Sequence, residues 1–111
     1  MSEVRELLER IKRLVKAKNY RVRIHAVRHM IEEGFTERDL VEAMTGRSRI
    51  IENYPDEWRC LLLGYFQIGK KLRSPLHIVC DYSDDEMIDL ITAYIPQRPW
   101  WLSPARRGRT L

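Results

Sequence analysis

At 111 residues the chain has the length of one domain, since roughly 100 to 200 residues usually share one core, and a two-domain organisation is excluded. Hydrophobic residues at 44% and charged residues at 32%, with five Gly and five Pro, are an ordinary globular mixture and exclude a disordered chain. The formal charge of +4 favours polyanionic partners without requiring one, and it sits at the ends: residues 1–34 carry nine Lys/Arg against five acids and residues 97–111 four against none.

No apolar run approaches the roughly 18 residues of a membrane span, and Met1-Ser2-Glu3-Val4-Arg5 lacks the basic and apolar start of a signal peptide. The expectation is a soluble, cytoplasmic protein without membrane contact.

From Val4 to Val15, apolar residues recur at three- and four-residue intervals, the stripe of an amphipathic helix with Ser2 as its N-cap. Residues 1–19 thus form a basic helical segment. Tyr20 to Ile24 alternates and reads as a short extended entry. His25 to Glu33 then reads as a helix stopped by Gly34. Thr36 opens a third helix, with Asp39 completing an approximate capping box and Gly46 the stop.

After Gly46 the period becomes alternating, which predicts strands near Arg49–Tyr54, Trp58–Phe66, Leu76–Tyr82 and Ile88–Ile95. The expected fold is α+β, with the N-terminal helices packed on one face of a four-stranded antiparallel meander. Residues 102–111 read as a basic tail with too little apolar surface to fold on its own. Trp100-Trp101 reads as folding back over a sheet edge, with base stacking as the alternative.

Turning each hairpin about its middle sets Cys60 opposite Cys80, Leu63 opposite His77 and His77 opposite Thr92. Ile50, Tyr54, Trp58, Cys60, Leu62, Phe66, Leu76, Ile78, Cys80, Ile91, Ala93 and Ile95 then face the helices, interrupted by Glu52 and Asp89. The opposite face holds Arg49, Asn53, Arg59, Leu61, Leu63, Tyr65, His77, Val79, Asp81, Leu90, Thr92 and Tyr94. The cysteines are expected to be buried, reduced thiols, with a cross-strand disulfide as the alternative.

No P-loop, nucleotide-binding glycine pattern, nucleophile elbow or paired-cysteine zinc motif occurs, so no cofactor is expected. On the mixed face, Arg49, Arg59 and Tyr65 supply cations for phosphate and a ring for stacking, beside His77 and Tyr94 for proton transfer. Metal-independent RNA cleavage needs those parts, because the 2′-hydroxyl loses a proton, the 5′-oxygen gains one and the phosphorane needs cationic support. His25 and His29, four apart on a helix, could ligate a metal, but no third ligand is identifiable, and no metal is expected. Asp84-Asp85-Glu86 reads as a tight turn.

His25-Ala26-Val27-Arg28-His29-Met30, Gly34-Phe35-Thr36, Asp39-Leu40-Val41, Tyr54-Pro55-Asp56, Pro75-Leu76-His77-Ile78-Val79 and Thr92-Ala93-Tyr94-Ile95-Pro96 with Trp100 follow one another in order. This succession, about residues 22–101, resembles the bacterial and archaeal family called domain of unknown function 4258. The resemblance implies a domain similar to the BrnT and RelE toxins of type II toxin–antitoxin pairs, which cleave RNA without a metal. It implies RNA and a small, zinc-ribbon-type antitoxin as partners. Carried onto this chain, it puts weight on His25, Arg28, His77 and Tyr94 as catalytic residues. A non-catalytic module binding protein or nucleic acid is the reading from another class.

Overall fold

In the computed structural model, which describes residues 3–98 and 100–108, the first apolar stripe forms helix α1 (Glu3–Lys16). Ile11, Leu14 and Val15 are buried, and Glu3 and Glu6 in the first turn with Arg13 and Lys16 in the last complement the helix dipole. Ser2, the expected cap, lies outside the described residues. Helix α2 (Ile24–Glu33) ends at Gly34, whose φ of 79° is the left-handed conformation that lets its N–H reach the Met30 carbonyl. Helix α3 (Glu37–Thr45) begins on the expected capping box: the Thr36 hydroxyl accepts from the Asp39 N–H and the Asp39 carboxylate from the Thr36 N–H. No helix among the described residues is long and apolar enough to cross a membrane.

Five strands, β1 (Tyr20–Val22), β2 (Arg49–Tyr54), β3 (Arg59–Gln67), β4 (Arg73–Asp84) and β5 (Met87–Tyr94), form one sheet in the order β1-β5-β4-β3-β2. The expected four-stranded antiparallel meander is thereby corrected to a mixed five-stranded sheet, because Tyr20–Val22 adds to β5 in parallel. The short extended entry read at Tyr20–Ile24 is this strand, but three residues do not announce which strand they join. Parallel pairing with a distant segment also leaves no turn signal.

The predicted pairs Cys60 with Cys80 and Leu63 with His77 are present. His77 stands opposite Tyr94, and Val79 opposite Thr92, so the predicted pairing of His77 with Thr92 is displaced by two and keeps its face. Two bulges change faces outright. The first, at Ile91, lies between the pairs Val79–Thr92 and Cys80–Leu90, and it turns Ile88 and Leu90 into the core in place of Ile91. The second, between Ile50 and Glu52, sets Glu52 opposite Leu61 and Tyr54 opposite Arg59, away from the helices, and leaves Asn53 on the helix side. There Asn53 accepts from the Tyr82 hydroxyl at 2.9 Å. Trp58, also expected in the core, is 56% exposed and has a left-handed φ of 56°.

The main core joins Ile11, Leu14 and Val15 of α1 and Leu40, Ala43 and Met44 of α3 to the sheet face carrying Leu62, Leu76, Ile78 and Leu90. Cys60 and Cys80 lie within it as free thiols. The Cys60 thiol beside it, and then burial, push Cys80 up, so it stays protonated. Both thiols are expected to react with a thiol reagent only on unfolding; rapid modification in native buffer would contradict this packing.

Within the expected tail, residues 102–108 are not free, and residues 109–111 lie outside the described residues. Strands β6 (Trp101–Ser103) and β7 (Arg106–Arg107) form a small hairpin folded onto the sheet face opposite the main core. Trp101 supplies the apolar surface that a composition reading of residues 102–111 leaves out.

Candidate functional site

On that second face one row of side chains crosses four strands: Arg49 of β2 opposite Leu63 of β3, Leu63 opposite His77 of β4, and His77 opposite Tyr94 of β5. Opposed residues in antiparallel strands share a face, so the register alone aligns them. Leu61 and Leu63 are 3% and 2% exposed, and His77 is fully buried. The face is therefore a second small core with an imidazole at its centre.

Both His77 nitrogens are engaged. A carbonyl can only accept, so Nε2 carries the proton and donates to Pro104 O at 2.5 Å. Nδ1 then accepts from the Tyr94 hydroxyl at 3.2 Å. The Trp101 ring meets the imidazole edge-on, centroids 4.2 Å apart, and the Tyr94 ring does so at 5.2 Å. Burial lowers the pKa of His77 and raises that of Tyr94. The pair is a neutral imidazole and a neutral phenol.

A clasp holds the hairpin down. Arg107 donates from Nε and a terminal nitrogen to the two Glu52 oxygens at 2.6 and 2.8 Å, and its guanidinium lies 4.7 Å from the Trp101 ring centroid. The Tyr54 hydroxyl also donates to Glu52. Arg107 holds the Glu52 carboxyl below its usual range, while Glu52 holds the Tyr54 phenol up. The β2 bulge is what turns Glu52 and Tyr54 onto this face.

Helix α2 meets the row at Tyr94. The His29 and Tyr94 ring centroids are 6.4 Å apart. His29 Nδ1 lies 2.7 Å from one oxygen of Glu33, whose other oxygen accepts from the Ile95 N–H at 2.8 Å. Glu33 thus ties the end of α2 to the end of β5. His25 and Arg28 are exposed on α2 and make no hydrogen bond or ion pair among the described residues. Of the four residues weighted by resemblance, His77 and Tyr94 touch; His25 and Arg28 stand apart on the helix surface.

At the other end of the row, Arg49 and Tyr65 line one cavity of about 380 Å³ with Lys12, Arg47, Ser48 and Leu63. Lys12 donates to the Gly46 carbonyl at 2.8 Å, whereas Arg47 and Arg49 have no acidic partner among the described residues. Two open guanidiniums and a tyrosine ring at 36% exposure can take a phosphate and an adjoining base. Arg59 belongs elsewhere, paired with Asp81 at 3.7 Å.

Sequence reasoning missed Glu33, Glu52, Arg47 and Arg107. The His29–Glu33 spacing of four carried a readable signal for the first, whereas neither the bulge that turns Glu52, nor the hairpin that brings Arg107, nor the short loop that holds Arg47 between α3 and β2 carried one. Among the described residues no group of three His, Cys, Asp or Glu side chains could hold a metal ion. Asp84, Asp85 and Glu86 form the turn expected of them, with Asp84 accepting from the Glu86 N–H and Asp85 3.4 Å from Arg10.

An α+β domain with a histidine–tyrosine pair under a C-terminal hairpin is the class defined by this geometry. The family described as Domain of unknown function (DUF4258) matches residues 23–95, well over half of the chain, and the chain belongs to that family. The matched segment holds His25, Arg28, His77 and Tyr94 and stops short of Trp101, Pro104 and Arg107. No curated protein and no solved structure matches the chain.

Proposed function

We propose that this protein is an RNA-binding, toxin-like endoribonuclease of a type II toxin–antitoxin pair, similar to BrnT and RelE, that works without a metal and is held by a small antitoxin. The observation that carries the reading is the single cross-strand row from the Arg49–Tyr65 cavity to His77 and Tyr94. Phosphate and base would seat on Arg47, Arg49 and Tyr65. A base, His77 or His25, would take the proton of the 2′-hydroxyl as its oxygen attacks phosphorus. A proton returned to the 5′-oxygen completes cleavage, with Tyr94 sharing the transfer and Arg28 supporting the phosphate. Chemistry at His77 requires the hairpin to lift, since Pro104 and Trp101 cover it.

The sealing of His77 favours a second reading, a binding module without catalysis. RNA incubated without metal separates the two. Cleavage by the wild type or by a hairpin-loosened Trp101→Ala variant, abolished by His77→Ala or His25→Ala, supports the nuclease; binding with no cleavage by either leaves the module. In both readings Arg47→Glu with Arg49→Glu is expected to weaken RNA binding about tenfold or more and to flatten its salt dependence. Unchanged affinity would remove the cavity from the interface.

A further inference from the structure

Strand β1 is an edge of the sheet, and among the described residues no other strand pairs with its open side. In a parallel ladder, alternate residues of a strand turn both backbone groups to the same neighbour. Asn19 O accepts from the Ile88 N–H and the Arg23 N–H donates to Leu90 O, so the odd-numbered residues face β5. The N–H and C=O of Tyr20 and Val22 consequently point to the open side, where no other backbone group among the described residues bonds them.

The space beside this edge is shaped and charged. A cavity of about 560 Å³ is lined by Lys18, Tyr20, Val22, Val27 and Glu37. A second, of about 520 Å³, shares Lys18, Tyr20 and Glu37 and extends between α1 and α3 over Val15 and Val41, with Lys16 and Arg38 at its rim. Tyr20 stands between them, its hydroxyl donating to Glu37 at 2.6 Å. Lys16, Lys18 and Arg38 are exposed and have no acidic partner among the described residues. Beyond Val27, α2 carries Ile24 at 67% and Ile31 at 77% exposure, and positions 24, 27 and 31 share one helix face. The fold thus leaves together four open backbone groups, an apolar stripe and three free cations.

From this juxtaposition we infer that the β1 edge docks an extended acidic segment of a protein partner, which adds as a strand beside Tyr20–Val22. Its apolar side chains enter the two cavities and its carboxylates meet Lys16, Lys18 and Arg38. A protein fits better than a nucleic acid: phosphates gain nothing from Val22, Val27, Ile24 and Ile31, and a nucleic-acid backbone cannot supply the alternating N–H and C=O groups that pair with a strand edge. The inference stands apart from the RNA reading, whose cavity lies at the β2 edge on the opposite side of the sheet.

The test uses the whole protein, isotope-labelled, with three probes: a capped octapeptide alternating valine and aspartate, the same peptide with lysine for aspartate, and an octauridylate. The valine–aspartate peptide is expected to slow exchange of the Tyr20 and Val22 amide hydrogens and to bind less well in high salt. The lysine peptide should leave them unchanged. No protection by the acidic peptide, equal protection by the lysine peptide, or protection by the uridylate would each overturn the assignment. Val22→Pro removes one outward N–H at an edge that tolerates proline, and it is expected to cut peptide affinity about tenfold. Should that variant not fold, Lys18→Gly and Arg38→Glu serve instead. Lys18 holds a left-handed φ of 64° that glycine adopts freely, so its replacement removes charge without strain. Each is expected to weaken the acidic peptide about two- to fivefold, and unchanged binding in both overturns the proposal.

Discussion

Replacing Gly64 with alanine is expected to cost about 3 kcal/mol or more of stability and to lower the melting temperature by about 15 °C. Gly64 lies on the core face of β3, opposite Leu76, where α3 crosses the sheet. A Cβ there would sit 2.0 Å from the Ala43 carbonyl oxygen and 2.6 Å from its carbon. Those are backbone atoms of a helix and cannot rotate aside. The helix would have to lift, taking Leu40 and Met44, both fully buried, out of register with the sheet. Gly69→Ala is the control, since a Cβ at Gly69 meets nothing within 4 Å. Thermal unfolding of the two variants should separate them widely. A Gly64→Ala protein that melts within a few degrees of the wild type would show that α3 is not seated on Gly64.

Gly64 also illustrates what can be read from residues alone. A lone glycine inside an alternating strand signals either a bulge or a close approach, and sequence does not choose between them. The helices were legible because each announces itself within a few residues: the α1 stripe, the Thr36–Asp39 box, the Gly34 stop. The meander was legible because its hairpins are local and its core face alternates. What escaped was non-local or non-periodic. Strand β1 pairs with a segment near the far end of the chain, and each bulge inserts one residue that reverses the parity of everything beyond it. That reversal moved Glu52 from the expected core face to the clasp and Leu90 from the mixed face to the core. The histidine–tyrosine pairing was visible from register within two residues, whereas its cover was not. Nothing in Ser103-Pro104-Ala105-Arg106-Arg107 signals that one carbonyl among them will accept from His77.

That cover makes the second large effect. Trp101 is 5% exposed, stacked edge-on against His77 and capped by Arg107. Trp101→Ala is expected to cost about 3 kcal/mol through the lost apolar contact and the space left over the imidazole. Its effect on pH dependence is more diagnostic. Burial holds His77 neutral, so its pKa in the folded protein lies below the ordinary 6.5 that its imidazole regains on unfolding. Between those values the unfolded chain binds the extra proton, so this contribution is fully present above about pH 6.5 and is lost as pH falls toward the lowered value. Glu52 works in the same sense further down: Arg107 holds its carboxyl below the ordinary 4.5, and that contribution is present above about pH 4.5 and lost as pH falls through the lowered value. Wild-type stability should therefore fall on acidification in two stages. In Trp101→Ala water reaches the ring, the His77 pKa returns toward its ordinary value and the upper stage shrinks. A nuclear magnetic resonance titration of the His77 ring in both proteins measures this directly. Identical titrations would mean that the hairpin does not seal His77 and that burial under Trp101 is not what lowers its pKa.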